Sequence, residues 1–268
     1  RAYVGGTSGL IYGYVNDGFY TVADFESFDS KSRTWKLKDG VVDSSPLSDT
    51  PRPGNAKFKK LTPVDPNSTN PYQLTEADRT VIGNTTPKFS GGFGLNATYK
   101  GFDMSMFFNF MYDFDVLNAN KIMLTTWADN KENNFLMDIA SDKRWRNFDD
   151  MGNEIRYSPE VLAEFNKNAT MWNPTSIGRP ICMSYAVEDG SFLRLNSATV
   201  GYTLPSVWTK KVGLSKVRFY VSGNNLFTLT GYSGYDPEVN IATGLTPNID
   251  YNRYPRSRTY TFGAQLTF

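Results

Sequence analysis

Two carboxylates, Asp236 and Glu238, stand two residues apart in the segment GYDPEVN, and an acid paired with a base is what glycoside cleavage requires. That reaction also needs the two groups held on opposite sides of a sugar, and carboxylates flanking a proline answer equally well to a turn. Nucleophilic and metal chemistry has less to draw on. The chain has no histidine and one cysteine, Cys182, which closes off Ser-His-Asp and Cys-His arrangements, histidine-based zinc sites, intrachain disulfides and thiolate clusters. In residues 61–78 the acids Asp65, Glu76 and Asp78 lack the regular alternation of ligands and the glycine of a calcium loop, so neither a metal nor another cofactor is expected. Flat aromatic rings remain. Trp127, Trp145, Trp172, Tyr232 and Tyr235 can stack on a substrate such as a sugar, or simply pack their own loops. With 28 basic and 27 acidic residues, the net charge of +1 makes no electrostatic case for nucleic acid. The expectation is a binding or transport protein and no enzyme.

The elements that must position these groups are strands. Aromatic residues reach 15% of the chain while apolar residues are 40% and mean hydropathy is −0.44, and no run approaches the roughly 20 apolar residues of a spanning helix. From Phe89 the odd positions Phe89, Phe93, Leu95, Ala97 and Tyr99 alternate with Ser90, Asn96, Thr98 and Lys100. A period of two puts one set on each face of a strand. After a tight connection at Gly101-Phe102, Met104, Met106, Phe108, Phe110 and Tyr112 alternate with Ser105, Asn109 and Asp113, although Phe107 and Met111 fall on the polar side. Ala198, Val200, Tyr202 and Leu204 share a face, but Leu193 and Leu195 are out of phase with them, which predicts a bulge near Asn196. Val217, Phe219 and Val221 oppose Arg218, Tyr220 and Asn224, and Tyr260, Phe262, Ala264, Leu266 and Phe268 oppose Thr261 and Gln265.

The fold expected is all-β: strands at about 88–100, 103–114, 192–204, 216–229 and 257–268 of an antiparallel transmembrane β-barrel with long extracellular loops, which the family resemblance given below makes the C-terminal part of a large barrel. Residues 1–87 and the long connection 118–190 are assigned to the external side, because tight connections alternate with long ones. Phe93, Leu95, Phe108, Phe110, Phe219, Phe262 and Leu266 would then meet lipid, and Asn96, Gln265, Asn109, Asp113, Arg218, Tyr220 and Asn224 would face the lumen, where they touch cargo or hydrogen-bond across strands. A soluble carbohydrate-binding β-sandwich has the same alternation and is the competing reading. The chain begins at Arg1 without a charged and apolar leader, and is expected to be a piece of a longer precursor.

Six segments resemble consecutive blocks of one family. They are GLIYGYVNDGFY (9–20), DRTVIGNTTPKFSGGFGL (78–95), YKGFDMSMFF (99–108), VEDGSFLRLNSATVGYTLP (187–205), VRFYVSGNNLFTLTGYSGYDPEVN (217–240) and YPRSRTYTFGAQLTF (254–268). Together they are similar to the C-terminal region of SusC/RagA proteins, which are TonB-dependent transporters of the bacterial outer membrane. The resemblance implies a plugged barrel of about 22 strands. It also implies an N-terminal remainder holding the plug, the other strands and the segment that meets TonB; a SusD-like lipoprotein as lid; and oligosaccharide or peptide as cargo.

Overall fold

The structure, a computed structural model, describes residues 8–126, 135–140, 143–239, 248–251 and 253–268. The chain forms two compact units, each built from two separated stretches: 1–83 with 117–187, and 84–116 with 188–268. Among the described residues no helix is long and apolar enough to cross a membrane.

The second unit is a five-stranded antiparallel sheet: β1 (Phe89–Tyr99), β2 (Phe102–Tyr112), β3 (Phe192–Thr203), β4 (Lys216–Thr230) and β5 (Thr259–Thr267). Each strand pairs with its predecessor, in the spatial order β5-β4-β3-β2-β1. Tyr99 pairs with Phe102, so the loop of the first hairpin is Lys100-Gly101, one residue earlier than the sequence pattern places it. The reason is backbone handedness. A two-residue hairpin loop matches strand twist when both its residues have positive φ, and Lys100 and Gly101 sit at 46° and 87°. A Cβ on Gly101 would lie 2.8 Å from the Thr203 carbonyl oxygen, so glycine also fits the close approach of β3.

The register of β3 shifts between Leu195 and Ser197 against both β2 and β4. This bulge at Asn196 is what lets Leu193 and Leu195 share a face with Ala198 and Val200 despite their opposite parity. The connection from β3 to β4 is a helical turn, Ser206–Thr209, continued by a 3-10 turn, Lys210–Val212, and closed by Gly213 at φ 76°. Ser215 then donates its N–H to the Thr267 carbonyl at 2.8 Å, tying the start of β4 to the end of β5.

The first unit holds most of the residues that the sequence assigns to the external side. Its two stretches fold together around a shared core, in which Phe58 and Leu74 of the first meet Trp172, Ile177 and Met183 of the second. Both stretches contribute side chains to this core, so each covers apolar surface of the other. Short ladders frame this core: Asn16–Phe19 with Ala56–Phe58, and Phe25–Asp29 with Thr34–Leu37. Trp145, Ile155 and Leu162 form a second apolar cluster beside the helix Pro159–Phe165, which starts on a proline whose missing N–H costs nothing at a first turn. Asp78, fully buried, ties the first stretch internally. One carboxylate oxygen accepts the N–H groups of Leu61 (2.9 Å) and Thr62 (2.8 Å) and the Thr62 hydroxyl (2.7 Å), and the other accepts from Thr75 N–H (2.7 Å) and hydroxyl (3.0 Å). Burial alone would raise its pKa, but these donors outweigh burial and hold the carboxyl well below the usual range.

Candidate functional site

Cross-strand register assigns every side chain of the sheet to one of two faces. Thr98, Asp103, Gly201 and Tyr220 lie in one row, with Gly263 next, and Asn96, Ser105, Thr199, Ser222 and Thr261 in another; the face they define is polar. The opposite face carries Phe93 against Phe108, Leu95 against Met106, Val200 against Val221 and Phe262 beside them. The apolar face is uncovered: Phe93 is 45% exposed, Leu95 52%, Phe219 51%, Phe262 77% and Leu266 51%. A sandwich would bury this face beneath a second sheet.

On the polar face Arg218 makes a two-pronged ion pair with Asp103, its Nε 2.9 Å from one carboxylate oxygen and its Nη2 on the other. Its guanidinium also lies 5.1 Å from the Tyr220 ring. Two glycines make room for these groups. A Cβ at Gly201 would meet the Arg218 guanidinium at 2.5 Å, and one at Gly263 would meet the Tyr220 ring at 2.3 Å. Phe107, the aromatic that breaks the alternation of β2, occupies a third such gap beside Gly92, where a Cβ would lie 2.9 Å from its ring. Asn224 shares this face, paired with Ser197 and Thr259. Asn109 pairs with Arg194, and its side-chain Oδ1 is buried without a hydrogen-bond partner among the described residues. Asp113 lies one residue beyond β2 at φ 58°, where it accepts from Lys88 and donates its N–H to the Ser191 hydroxyl at 2.8 Å.

Arg194 is the residue that sequence reasoning passed over. It is 1% exposed and reaches from β3 to Asp236, with Glu238 3.7 Å away. Arg256 takes the other side of Glu238 at 2.7 Å, and Asp236 accepts the Glu238 N–H at 2.9 Å across Pro237. Both acids of the GYDPEVN segment are thus committed to holding a loop, and neither is a free acid or base. The signal for Arg194 was its charge inside a strand otherwise flanked by leucines, a placement that demands a partner.

The five aromatic candidates separate by burial. Trp145 and Trp172 are each 2% exposed and Tyr232 is 6% exposed. Trp172 donates its indole N–H to the Thr125 carbonyl at 3.3 Å and packs edge-on against Tyr185. Trp145 meets Phe19 edge-on at 5.7 Å. Tyr232 donates its hydroxyl to Asp250 at 2.6 Å; burial, and then the Asp250 carboxylate, push its phenol pKa upward. Ser233 beside it gives its N–H and hydroxyl to Glu188, both at 2.9 Å. Tyr235 is 85% exposed. Trp127 lies outside the described residues.

No family model matches the chain. A TonB-dependent receptor of Formosa agariphila is 33% identical over 266 residues, covering 97% of this chain and 22% of the receptor. The TonB-dependent receptor SusC of Bacteroides thetaiotaomicron is 36% identical over 88 residues, 31% of this chain and 8% of SusC. Among solved structures, the RagAB peptide importer in its open-open state superposes with a TM-score of 0.59 at 23% identity, over 96% of this chain and 22% of that one. The chain spans about a fifth of the length of the relative and the solved chain that it matches over nearly all of its residues. The structural likeness identifies the five-stranded sheet as a stretch of barrel wall. With its segments matching curated receptors and its sheet matching such a wall, the chain belongs to the SusC/RagA family of TonB-dependent receptors.

Proposed function

We propose that this chain supplies part of the wall and the external surface of an outer-membrane importer that takes up oligosaccharides or peptides with energy from TonB. The observation that carries the reading is the single-layer sheet with one polar face and one uncovered apolar face. An apolar face of this size is stable against lipid and unstable in water. Phe93, Leu95, Phe219, Phe262 and Leu266 then meet acyl chains. Asn109, Arg218, Tyr220 and Asn224 line the lumen, where a plug and passing cargo reach them, and Asp113 stands at the lumen's outer rim. The open edges of β1 and β5 pair with strands of the same receptor that lie outside this chain.

The relatives support the remaining roles. The solved neighbour is described as a peptide importer, and SusC as a TonB-dependent receptor. By the family's pattern a SusD-like lipoprotein closes over the external side. Among the described candidates Tyr235 has a ring free to touch cargo or lid, whereas Trp145, Trp172 and Tyr232 act through the loops they hold. Growth of the source bacterium on single oligosaccharides or peptides, with and without the gene and with and without TonB, tests the proposal. Loss of growth on one nutrient class in both mutants is expected; unchanged growth on every nutrient overturns it.

A further inference from the structure

The first unit contains two adjoining cavities, of about 70 and 360 Å3, that share Asn147, Arg156 and Thr175 and so make one cleft. Five arginines line it: Arg33, Arg52, Arg144, Arg146 and Arg156. Arg146 is paired with Asp150 and Arg156 with Glu154. Arg33, Arg52 and Arg144 have no carboxylate partner among the described residues; Arg144 gives one N–H to the Ile139 carbonyl. Two acids also line the cleft. Asp149 is occupied by the N–H groups of Met151 and Asn153 and by the Asn153 amide, and Asp49 makes no ion pair among the described residues.

The excess charge is positive, and Arg33 is held in place. Arg33 lies 4.8 Å from the Tyr157 ring and Arg156 5.6 Å from the same ring, and Phe28 stacks on that ring with centroids 6.1 Å apart. A guanidinium within about 6 Å of an aromatic ring is attracted by the ring and still has N–H donors to offer a planar or tetrahedral oxyanion. Around these cations stand neutral hydrogen-bonding groups, Asn147 and Thr175, and Phe148 offers an apolar surface that is 46% exposed. Charge, hydroxyl-matching groups and a flat ring together are the needs of a charged sugar.

We propose that this cleft binds an acidic saccharide, with Arg33 and Arg52 receiving its anionic group, either a carboxylate or a sulfate ester. The inference rests on the import reading and narrows its cargo. The intact receptor, purified in detergent, is titrated with hexagalacturonic acid, a sulfated galactohexaose, neutral galactohexaose and hexaglutamate. The same ligands are added to an Arg33→Gln/Arg52→Gln double variant, which breaks no ion pair among the described residues, and to Arg144→Gln. At least one acidic saccharide is expected to bind about tenfold tighter than the neutral one, and the double variant to lose that preference without losing the neutral affinity. Which acidic ligand binds identifies the anion. Equal binding of acidic and neutral saccharides, an unchanged preference in the double variant, hexaglutamate binding as well as the saccharides, or no binding of any ligand each overturns the proposal. None of these results bears on the growth test, so the site and the import reading fail separately.

Discussion

Arg194 is a cation buried to 1% exposure, and its position on β3 makes sense only with Asp236 beside it. Removing one member of a buried pair leaves the other charge uncompensated, at a cost of about 3–5 kcal/mol. Arg194→Met is therefore expected to release the loop of residues 232–239, detected as new protease cleavage there while the wall strands stay protected; an unchanged digest would disprove the anchoring role. Asp78 supplies a pH dependence. Its folded pKa is depressed, so it contributes stability that is fully present above the unfolded value of about 4 and is lost as pH falls below that. Fluorescence of the buried Trp145 and Trp172 should report loosening of the first unit on acidification from about pH 4 downward. In Asp78→Asn that unit should already be weaker at neutral pH and less sensitive to acid. Identical acid profiles for the two proteins would contradict this. The role of Arg194 was only half legible in the sequence: a charge in a strand requires a partner, but the partner lies 42 residues on, in a loop whose path no local pattern specifies.

At the scale of the strand, alternation is the message that survives from sequence to structure. Parity sorted β1, β2, β4 and β5 into faces, and the phase break between Leu195 and Ala198 marked the bulge at Asn196. The hairpin loop was misplaced by one residue because Lys100 carries no sign of its positive φ; handedness of the turn, not residue type, selects that conformation. Facing has an energetic consequence. Phe262 and Val221 oppose each other on the apolar face, and arginine at either should cost about 2–4 kcal/mol in a lipid-inserted barrel. Ser222→Arg, on the other face of the same strand, should be tolerated. Urea titration of the receptor in vesicles distinguishes the two, and equal destabilisation on both faces would refute the assignment. Gly101→Val is expected to destabilise the first hairpin by about 1–3 kcal/mol, since a β-branched residue resists φ 87° and would press on the Thr203 carbonyl.

Among the described residues the sheet ends in two unpaired edges, β1 and β5. In lipid each unpaired backbone N–H or C=O costs several kcal/mol, so both edges require partners. Hydrogen exchange on the intact receptor should therefore protect the amides of Thr259–Thr267 that do not pair with β4, as well as those that do. Exchange of the outward amides at the rate of open chain would show the edge to be free and the wall reading to be wrong. The arginine cleft belongs to this scale too, since Arg33 and Arg52 come from one stretch of the first unit and Arg144 and Arg156 from the other.

Period-two alternation, tight against long connections and the order of the family's segments were enough to establish from sequence an all-β wall with one lipid-compatible face, because a strand's facing depends only on neighbours two residues away. The union of residues 1–83 with 117–187 into one unit was decided by tertiary structure alone. So was the fate of the aromatic candidates. Trp145 is buried because Gly54, far away in the chain, leaves the space its ring fills, with a Cβ there coming within 2.2 Å; Trp172 is packed into the shared core, where the Thr125 carbonyl accepts its indole N–H. A tryptophan in a long connection looks the same in sequence whether it binds a sugar or closes a core. The difference lies in contacts between residues dozens of positions apart, which form only when burying apolar surface offsets the entropy of bringing the stretches together.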